Sequence, residues 1–489
     1  MKTIDAGQKR RALPIRMKAG YAIGQMSDSI GFNVFYFFFL FFLTDFAGVP
    51  AGTAGTISLI AVTWDAVTDP VVGHISDNLR SRHGRRRPMM LAALAPYSVC
   101  TYLLFNNIGA PGGAKAFYFG AVAILFWSCY KVYVIPFFAL GAELTDDFDE
   151  RTSLRVWASV PLYGAVMLTS AAPPVIIEFT LQGGGDGTDA WHNVGLIFGG
   201  AIALTVFVCH RATKGGEIVK KEAYSVGKDA GDAGDTGDAG HFVLRLFTNL
   251  RSVLRVKPAK FLLLSVLFWS VVSSMASGGL VYLMTNVLHY SASLQSICFV
   301  VLSLAGIVWL PAINFGSARF DKRRVYFLTL LFSAACLISF NFIRFPTPAF
   351  LIVFLVLFEM GNSAFWTLYY SMMYDISELD EFISGKRREG TIAALMSFSQ
   401  KLGSAFALWL MGFVLDLGGY NGSAALQPDT ALNAIVWVNT WIPGAIGLGA
   451  ALFAFLYPLT KPRFNALLQA LALKRNGEAH STAGFEKLL

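Results

Sequence analysis

Twelve apolar runs, each of about 20 residues or more, take up most of this 489-residue chain: 19–44, 54–76, 88–106, 115–144, 153–178, 190–210, 258–286, 293–315, 325–343, 347–375, 391–416 and 433–457. A helix of about 20 apolar residues crosses the hydrocarbon of a bilayer, so these runs predict membrane-spanning helices. They are continuous and lack the period-two alternation of outer-membrane strands, which argues against a barrel. Composition agrees, with 55% hydrophobic residues, 14% charged residues and 42 phenylalanines, a balance far from that of a soluble domain. The expected fold is an all-α membrane protein with twelve transmembrane helices. The first run follows Lys2, Lys9, Arg10, Arg11, Arg16 and Lys18. It is too long for a signal-peptide core and lacks a persuasive cleavage site, so it reads as retained.

Lys and Arg collect in alternate loops: Arg80, Arg82, Arg85, Arg86 and Arg87; Arg211, Lys214, Lys220, Lys221 and Lys228; Arg319, Lys322, Arg323 and Arg324; Lys386, Arg387 and Arg388. The other loops are nearly bare, Lys115 and Arg344 excepted. This asymmetry predicts cytoplasmic N- and C-termini and an inner or plasma membrane location. It also accounts for the net charge of +8 without nucleic acid as a partner. The five cysteines lie in apolar runs with no close pair spacing, and no two histidines make a ligand pair, so neither disulfides nor a metal centre is expected.

The polar stretch containing Gly231–Gly240, a Gly-Asp-Ala-Gly-Asp-Thr near-repeat, reads as a flexible linker. Residues 241–257 pattern as a basic amphipathic helix, lying on the anionic inner leaflet or packed on the bundle. The predicted organisation is a cytoplasmic segment 1–18, a six-helix bundle 19–210, a linker 211–257, a second six-helix bundle 258–457 and a cytoplasmic tail 458–489.

Several charges interrupt the apolar runs. Asp28, Asp65, Asp69, Lys131, Glu359 and Lys401 each fall near the middle of a predicted span, and counting along the helices puts all six near one plane. Each costs roughly 2.5–3.5 kcal/mol on the insertion scale, so six of them demand mutual pairing or a wet cavity. Asp65 and Asp69, at i and i+4, share a helix face. Two carboxylates so close do not both stay charged in a dry site unless a cation or proton neutralises one.

The halves echo each other. Gly73-x3-Asp77-x2-Arg80-x3-Gly84-Arg-Arg-Arg87-Pro88 after the second run is matched by Gly316-Ser-Ala-Arg319-Phe-Asp321-Lys-Arg-Arg324 after the eighth. Duplicated halves point to a transporter with its binding site between them. The first of these loops resembles the signature of the major facilitator superfamily. Trp64-Asp-Ala-Val-Thr-Asp-Pro70, Ile135-Pro136-Phe137, Glu150-Arg151-Thr152 and Gly385-Lys-Arg-Arg-Glu-Gly390 with Gln400-Lys401-Leu402-Gly403 are similar to the glycoside–pentoside–hexuronide:cation symporters, over about residues 18–458.

The resemblance implies a major facilitator fold and cation-coupled symport of a small-molecule substrate, a sugar or glycoside, by alternating access; the bilayer is the expected partner, a monomer the expected state, and no cofactor is expected. It implies that Asp65 and Asp69 bind the coupling cation, with Thr68 where the family's sodium transporter has an amide ligand. Lys131 stands where that transporter has a threonine, and its ammonium would displace sodium. Proton coupling is therefore the expectation, with sodium coupling and an uncoupled facilitator as alternatives. Asp28 and Lys401 match cavity-lining positions suited to sugar hydroxyls, or form an interdomain salt bridge. Glu359 is expected to face substrate, to pair with Lys401 or to take up an extra proton. The family's helix 4 aspartate and tryptophan are replaced by Val134 and Phe138, and its helix 5 arginine falls near Trp157-Ala158. Phe138 with Trp366, Tyr369 and Tyr370 then offers a platform for a sugar ring or a wall for an amphiphile such as a lysolipid.

Asp77, Arg80, Glu143, Arg151, Asp375 and Arg388 lie at the cytoplasmic helix ends, where they are expected to act as gate salt bridges or as solvated loop charge. An enzyme is not expected, because Gly183–Gly187 lacks the Lys-Ser/Thr ending of a phosphate loop and no nucleophile–histidine set is suggested. A channel or receptor is the rival of another class.

Overall fold

The computed structural model describes residues 13–79, 84, 86–145, 147–215, 256–343, 347–385, 388–424 and 426–475. Among these residues all regular structure is helical. Helix α1 (Ile15–Val34) runs on through π-helical turns Phe35–Phe39 and Phe42–Phe46. There follow α2 (Ala51–Asn78), α3 (Arg87–Leu104), α4 (Gly112–Glu143), α5 (Phe148–Gln182) and α6 (Gly187–Ala212). After the linker come α7 (Lys257–Tyr282) with a π turn Leu283–Val287, α8 (Ala292–Arg319), α9 (Lys322–Ile343), α10 (Pro348–Ser384) and α11 (Glu389–Leu417). The chain closes with α12 (Asp429–Asn439), α13 (Trp441–Leu456) and α14 (Lys461–Arg475). Nine helical stretches among the described residues, from α4 to the α12–α13 pair, are long and apolar enough to cross a membrane. Helices α1, α2 and α3 occupy the first three predicted spans, so the element order accommodates all twelve. Most of the predicted amphipathic segment 241–257 lies outside the described residues.

Local chemistry sets the ends and the bends. Asp186 caps α6 by accepting from the backbone N–H of Asp189 at 2.8 Å, while the Asp189 carboxylate accepts the N–H of Asp186 at 3.2 Å, which satisfies two donors that the first turn leaves open. Helix α10 starts with Pro348, whose fixed φ suits a first turn. It stops at Gly385, where φ of +69° is cheap only for glycine. Inside α2, Pro70 removes the N–H that would bond to the Ala66 carbonyl, so the ladder lacks a rung in the turn joining Asp65 to Asp69.

The chain divides into two compact units, Met1–Phe35 with Val67–Ala233, and Tyr36–Ala66 with Gly234–Leu489. The segment 36–66, which the sequence assigns to the first bundle, thus groups with the second unit. In the first unit α1 packs on α5 and α6, and α3 on α4 and α6. The Tyr97 hydroxyl donates to the Ser27 carbonyl at 2.8 Å and passes so close to Gly31 that a Cβ there would lie 1.7 Å from it. Buried Trp127 meets Phe35, Phe126 and Tyr130 edge-on, an arrangement favoured by the ring quadrupoles. In the second unit α7 packs on α11 and α13, α9 on α10 and α13, and α8 on α10. Gly55 of α2 and Gly412 of α11 let two backbones touch: a Cβ at Gly412 would lie 2.4 Å from the Ala51 carbonyl oxygen. Small residues permit such close approach of membrane helices, where lipid supplies no hydrophobic drive.

Candidate functional site

Both aspartates of the α2 pair hold an ammonium, each within its own unit. In the first unit Lys131 of α4 reaches Asp69, with Nζ 2.7 Å from Oδ1. Lys131 is buried and its Nζ also lies 5.2 Å from the Tyr130 ring centroid. In the second unit Lys401 of α11 places Nζ 3.1 Å from Oδ2 of Asp65, which is only 2% exposed. The glycine contact of α2 with α11 lies about three turns from this ion pair on each helix, which sets the antiparallel register that delivers Lys401 to Asp65. Thr68 is half-buried on the same stretch of α2.

In the first unit Asp28 is half-buried and accepts hydrogen bonds from the Tyr130 hydroxyl at 2.6 Å and from Gln25 Nε2 at 2.6 Å. Phe138 packs edge-on against Phe137 and lies 5.5 Å beneath the guanidinium of Arg155. Arg155 is absent from the sequence-derived set, although it stands two residues before Trp157, where the family arginine was expected. One helical turn of tolerance around Trp157-Ala158 would have found it.

In the second unit Tyr369 is buried, lies tilted against Tyr370 at 4.1 Å between centroids and donates its hydroxyl to Gln400 Oε1 at 3.4 Å. Trp366 is 37% exposed on the same helix, 6.2 Å from the Tyr369 ring. Glu359 is buried and accepts from Asn362 Nδ2 at 2.9 and 3.1 Å. Lys401 lies on Asp65 instead of on Glu359, the pairing that equal depth along the helices suggests.

The helix-end charges pair locally. Arg86 gathers Asp77 (2.6 Å), Glu143 (2.9 Å) and the Ser76 hydroxyl (2.6 Å), so Arg86 holds this cluster, and Arg80 lies outside the described residues. Burial works against the Arg86 charge, yet its bonds to Asp77 and Glu143 leave the guanidinium pKa raised. Arg151 donates to the carbonyl of Thr145 at 2.9 Å. In the second unit Lys322 donates to both oxygens of Asp375 at 2.8 and 2.9 Å, and Arg388 Nε donates to Asp380 at 2.8 Å. That bond raises the Arg388 pKa against the opposing effect of burial.

The profile of the MFS/sugar transport protein family matches residues 20–461. The inner membrane symporter YicJ of Escherichia coli (strain K12) is 26% identical over 95% of this chain and 96% of its own length. The isoprimeverose transporter of Lactiplantibacillus pentosus is 24% identical over 92% of this chain and 89% of its length. The crystal structure of a D-xylose-proton symporter superposes with a TM-score of 0.65 at 13% identity, covering 91% of this chain and 98% of that one, a likeness of fold. The chain is an integral membrane transporter, not an enzyme, and it belongs to the MFS/sugar transport protein family, the group to which its resemblance to the glycoside–pentoside–hexuronide:cation symporters pointed.

Proposed function

We propose that this protein is a proton-coupled symporter of a sugar or glycoside, working by alternating access as a monomer. The observation that carries the reading is the Lys131–Asp69 contact of 2.7 Å. A tethered ammonium already neutralises the carboxylate that a coupling metal cation would need, and Lys401 does the same at Asp65. Two lysine–aspartate pairs can exchange protons, because protonating a carboxylate frees its ammonium and shifts the balance of buried charge. On this reading Asp65, Asp69 and Lys131 couple the ion, with Thr68 beside them. Asp28, Phe138, Trp366 and Tyr369 contact the substrate, a charged hydrogen-bond acceptor and aromatic faces being suited to a ring bearing hydroxyls. Arg155 joins them over Phe138. Asp77, Glu143, Arg151, Asp375 and Arg388 act at the cytoplasmic ends, with Arg86 as the hub of the first cluster.

Sugar is favoured over an amphiphile by the family match and by relatives such as the isoprimeverose transporter. The test is uptake into proteoliposomes of isoprimeverose, a methyl glucuronide and a lysolipid, each under an imposed proton gradient and under a sodium gradient. Saturable accumulation of a sugar driven by protons is the expected result. Sodium stimulation at fixed pH with no response to the proton gradient overturns the coupling assignment, and unsaturable conductance points to a channel.

A further inference from the structure

Glu359 differs in kind from the acids of α2. Asp65 and Asp69 each touch a lysine ammonium, whereas Glu359, 8% exposed in the N-terminal third of α10, has no ion pair among the described residues. Its two oxygens accept from the amide of Asn362, whose own oxygen accepts from Ser273 of α7 at 2.9 Å. From α8, Gly306 closes on it, a Cβ there falling 3.8 Å from Oε2. The elements packed on α10 are α7, α8, α9, α11 and α14. Of their basic groups, Lys322 lies on Asp375, Lys401 on Asp65, Lys474 on the Phe382 carbonyl, Arg323 on the Phe455 carbonyl, Lys461 on the Ala318 carbonyl, Arg463 on the Pro458 carbonyl and Arg475 on Glu381, and the hydrogen bonds to the Glu359 carboxyl come from a neutral amide. A small cavity opens beside the carboxyl, lined with Ser277, Leu280, Leu302, Phe358 and Asn439. Asn439 gives its amide hydrogens to the carbonyls of Gly279 and Ile435, which leaves oxygen as its remaining polar atom.

An ionised carboxylate removed from water with no counter-charge is strongly disfavoured, and the neutral acid is the form such surroundings hold. The neutral acid also fits the partners present: its carbonyl oxygen accepts from Asn362, and its O–H has the cavity oxygens of Ser277 and Asn439 in the same enclosure. We propose that Glu359 is a second proton-binding site, distinct from the lysine-paired aspartates, and that it gives up and regains its proton during transport. The step is a simple one: an O–H bond forms on a carboxylate oxygen with a proton from the medium, taking the charge from −1 to zero, and breaks on release. This role in transport rests on the proton-coupled reading, whereas binding of the proton stands without it.

Infrared difference spectroscopy of the full-length protein in proteoliposomes, titrated with acid and base, tests the site with the proton itself as ligand. The C=O stretch of a protonated carboxyl is expected at neutral pH in the wild type. It should vanish in E359Q, persist in D65N and move in frequency in E359D. A band unchanged in E359Q, or no band at neutral pH in the wild type, overturns the proposal. For the role in transport, isoprimeverose uptake by E359Q should lose the dependence on external pH that the wild type shows, and an unaltered pH profile overturns that role. If wild-type uptake follows sodium and ignores protons, the coupling assignment fails by itself, and the infrared band still decides whether Glu359 holds a proton.

Discussion

Taking the ammonium from Lys401 removes the cation 3.1 Å from Asp65, a carboxylate 2% exposed. Removing one partner of a buried pair costs about 3–5 kcal/mol, whereas replacing both by neutral groups costs far less. The thermal midpoint of K401M in detergent should therefore fall well below that of the D65N/K401M double variant, and equal midpoints would show that the pair is immaterial. Glu150 gives a milder effect at the surface. Its carboxylate lies 2.9 Å from Lys18 Nζ and accepts the Leu13 N–H at 3.1 Å, and the Lys18 bond, followed by the Leu13 bond, lowers its pKa. A lowered folded pKa means that the stabilisation is complete above the ordinary glutamate range and is lost as pH falls through the folded value. The melting difference between wild type and E150Q should accordingly be present at neutral pH and disappear in acid. A difference that grows on acidification would contradict the assignment. At this scale the sequence displays the charges placed in apolar runs more plainly than the partners they meet. Asp65, Asp69, Lys131 and Lys401 stand out as charges in apolar runs, but Arg86 and Arg155 do not, because a basic residue at a helix end is ordinary in any membrane protein.

Helix α2 contributes its two halves to different packing environments, and the features that permit this are glycines and one proline. Gly55 and Gly412 bring α2 and α11 into backbone contact, so a side chain at 412 meets the Ala51 carbonyl, which has no flexible end to yield. G412V should destabilise the protein by about 1–3 kcal/mol, as overpacking does. It should also abolish uptake by pulling α11, and with it Lys401, away from Asp65. A folded G412V with normal uptake would show that this contact is not what sets the register. The long apolar runs made the helices themselves legible, since twenty apolar residues admit little else in lipid. The grouping of 36–66 with the second unit was not legible, because hydropathy reports burial depth and is blind to which neighbour a helix face meets.

For the whole molecule the coupling ion is the property at issue, and Lys131 is the residue that tests it. Replacing Lys131 with threonine, the residue of the family's sodium transporter, removes the tethered cation from Asp69 and should make sugar uptake sodium-stimulated at fixed pH. Uptake by K131T that still follows only the proton gradient would place the ion selectivity elsewhere. The family, the membrane location and the order of the helices were all readable from the chain, because transfer of apolar helices into lipid depends on composition and length, which a sequence states directly. The partners of the buried charges were settled only by tertiary structure. Lys401 had three candidate roles, and its pairing with Asp65 follows from the close approach of α2 and α11 at Gly55 and Gly412. Glu359, equally conspicuous as a charge, has no cation beside it among the described residues. Electrostatic energy in a medium of low dielectric turns on distances of a few ångströms between helices far apart in sequence, and only their packing fixes those distances.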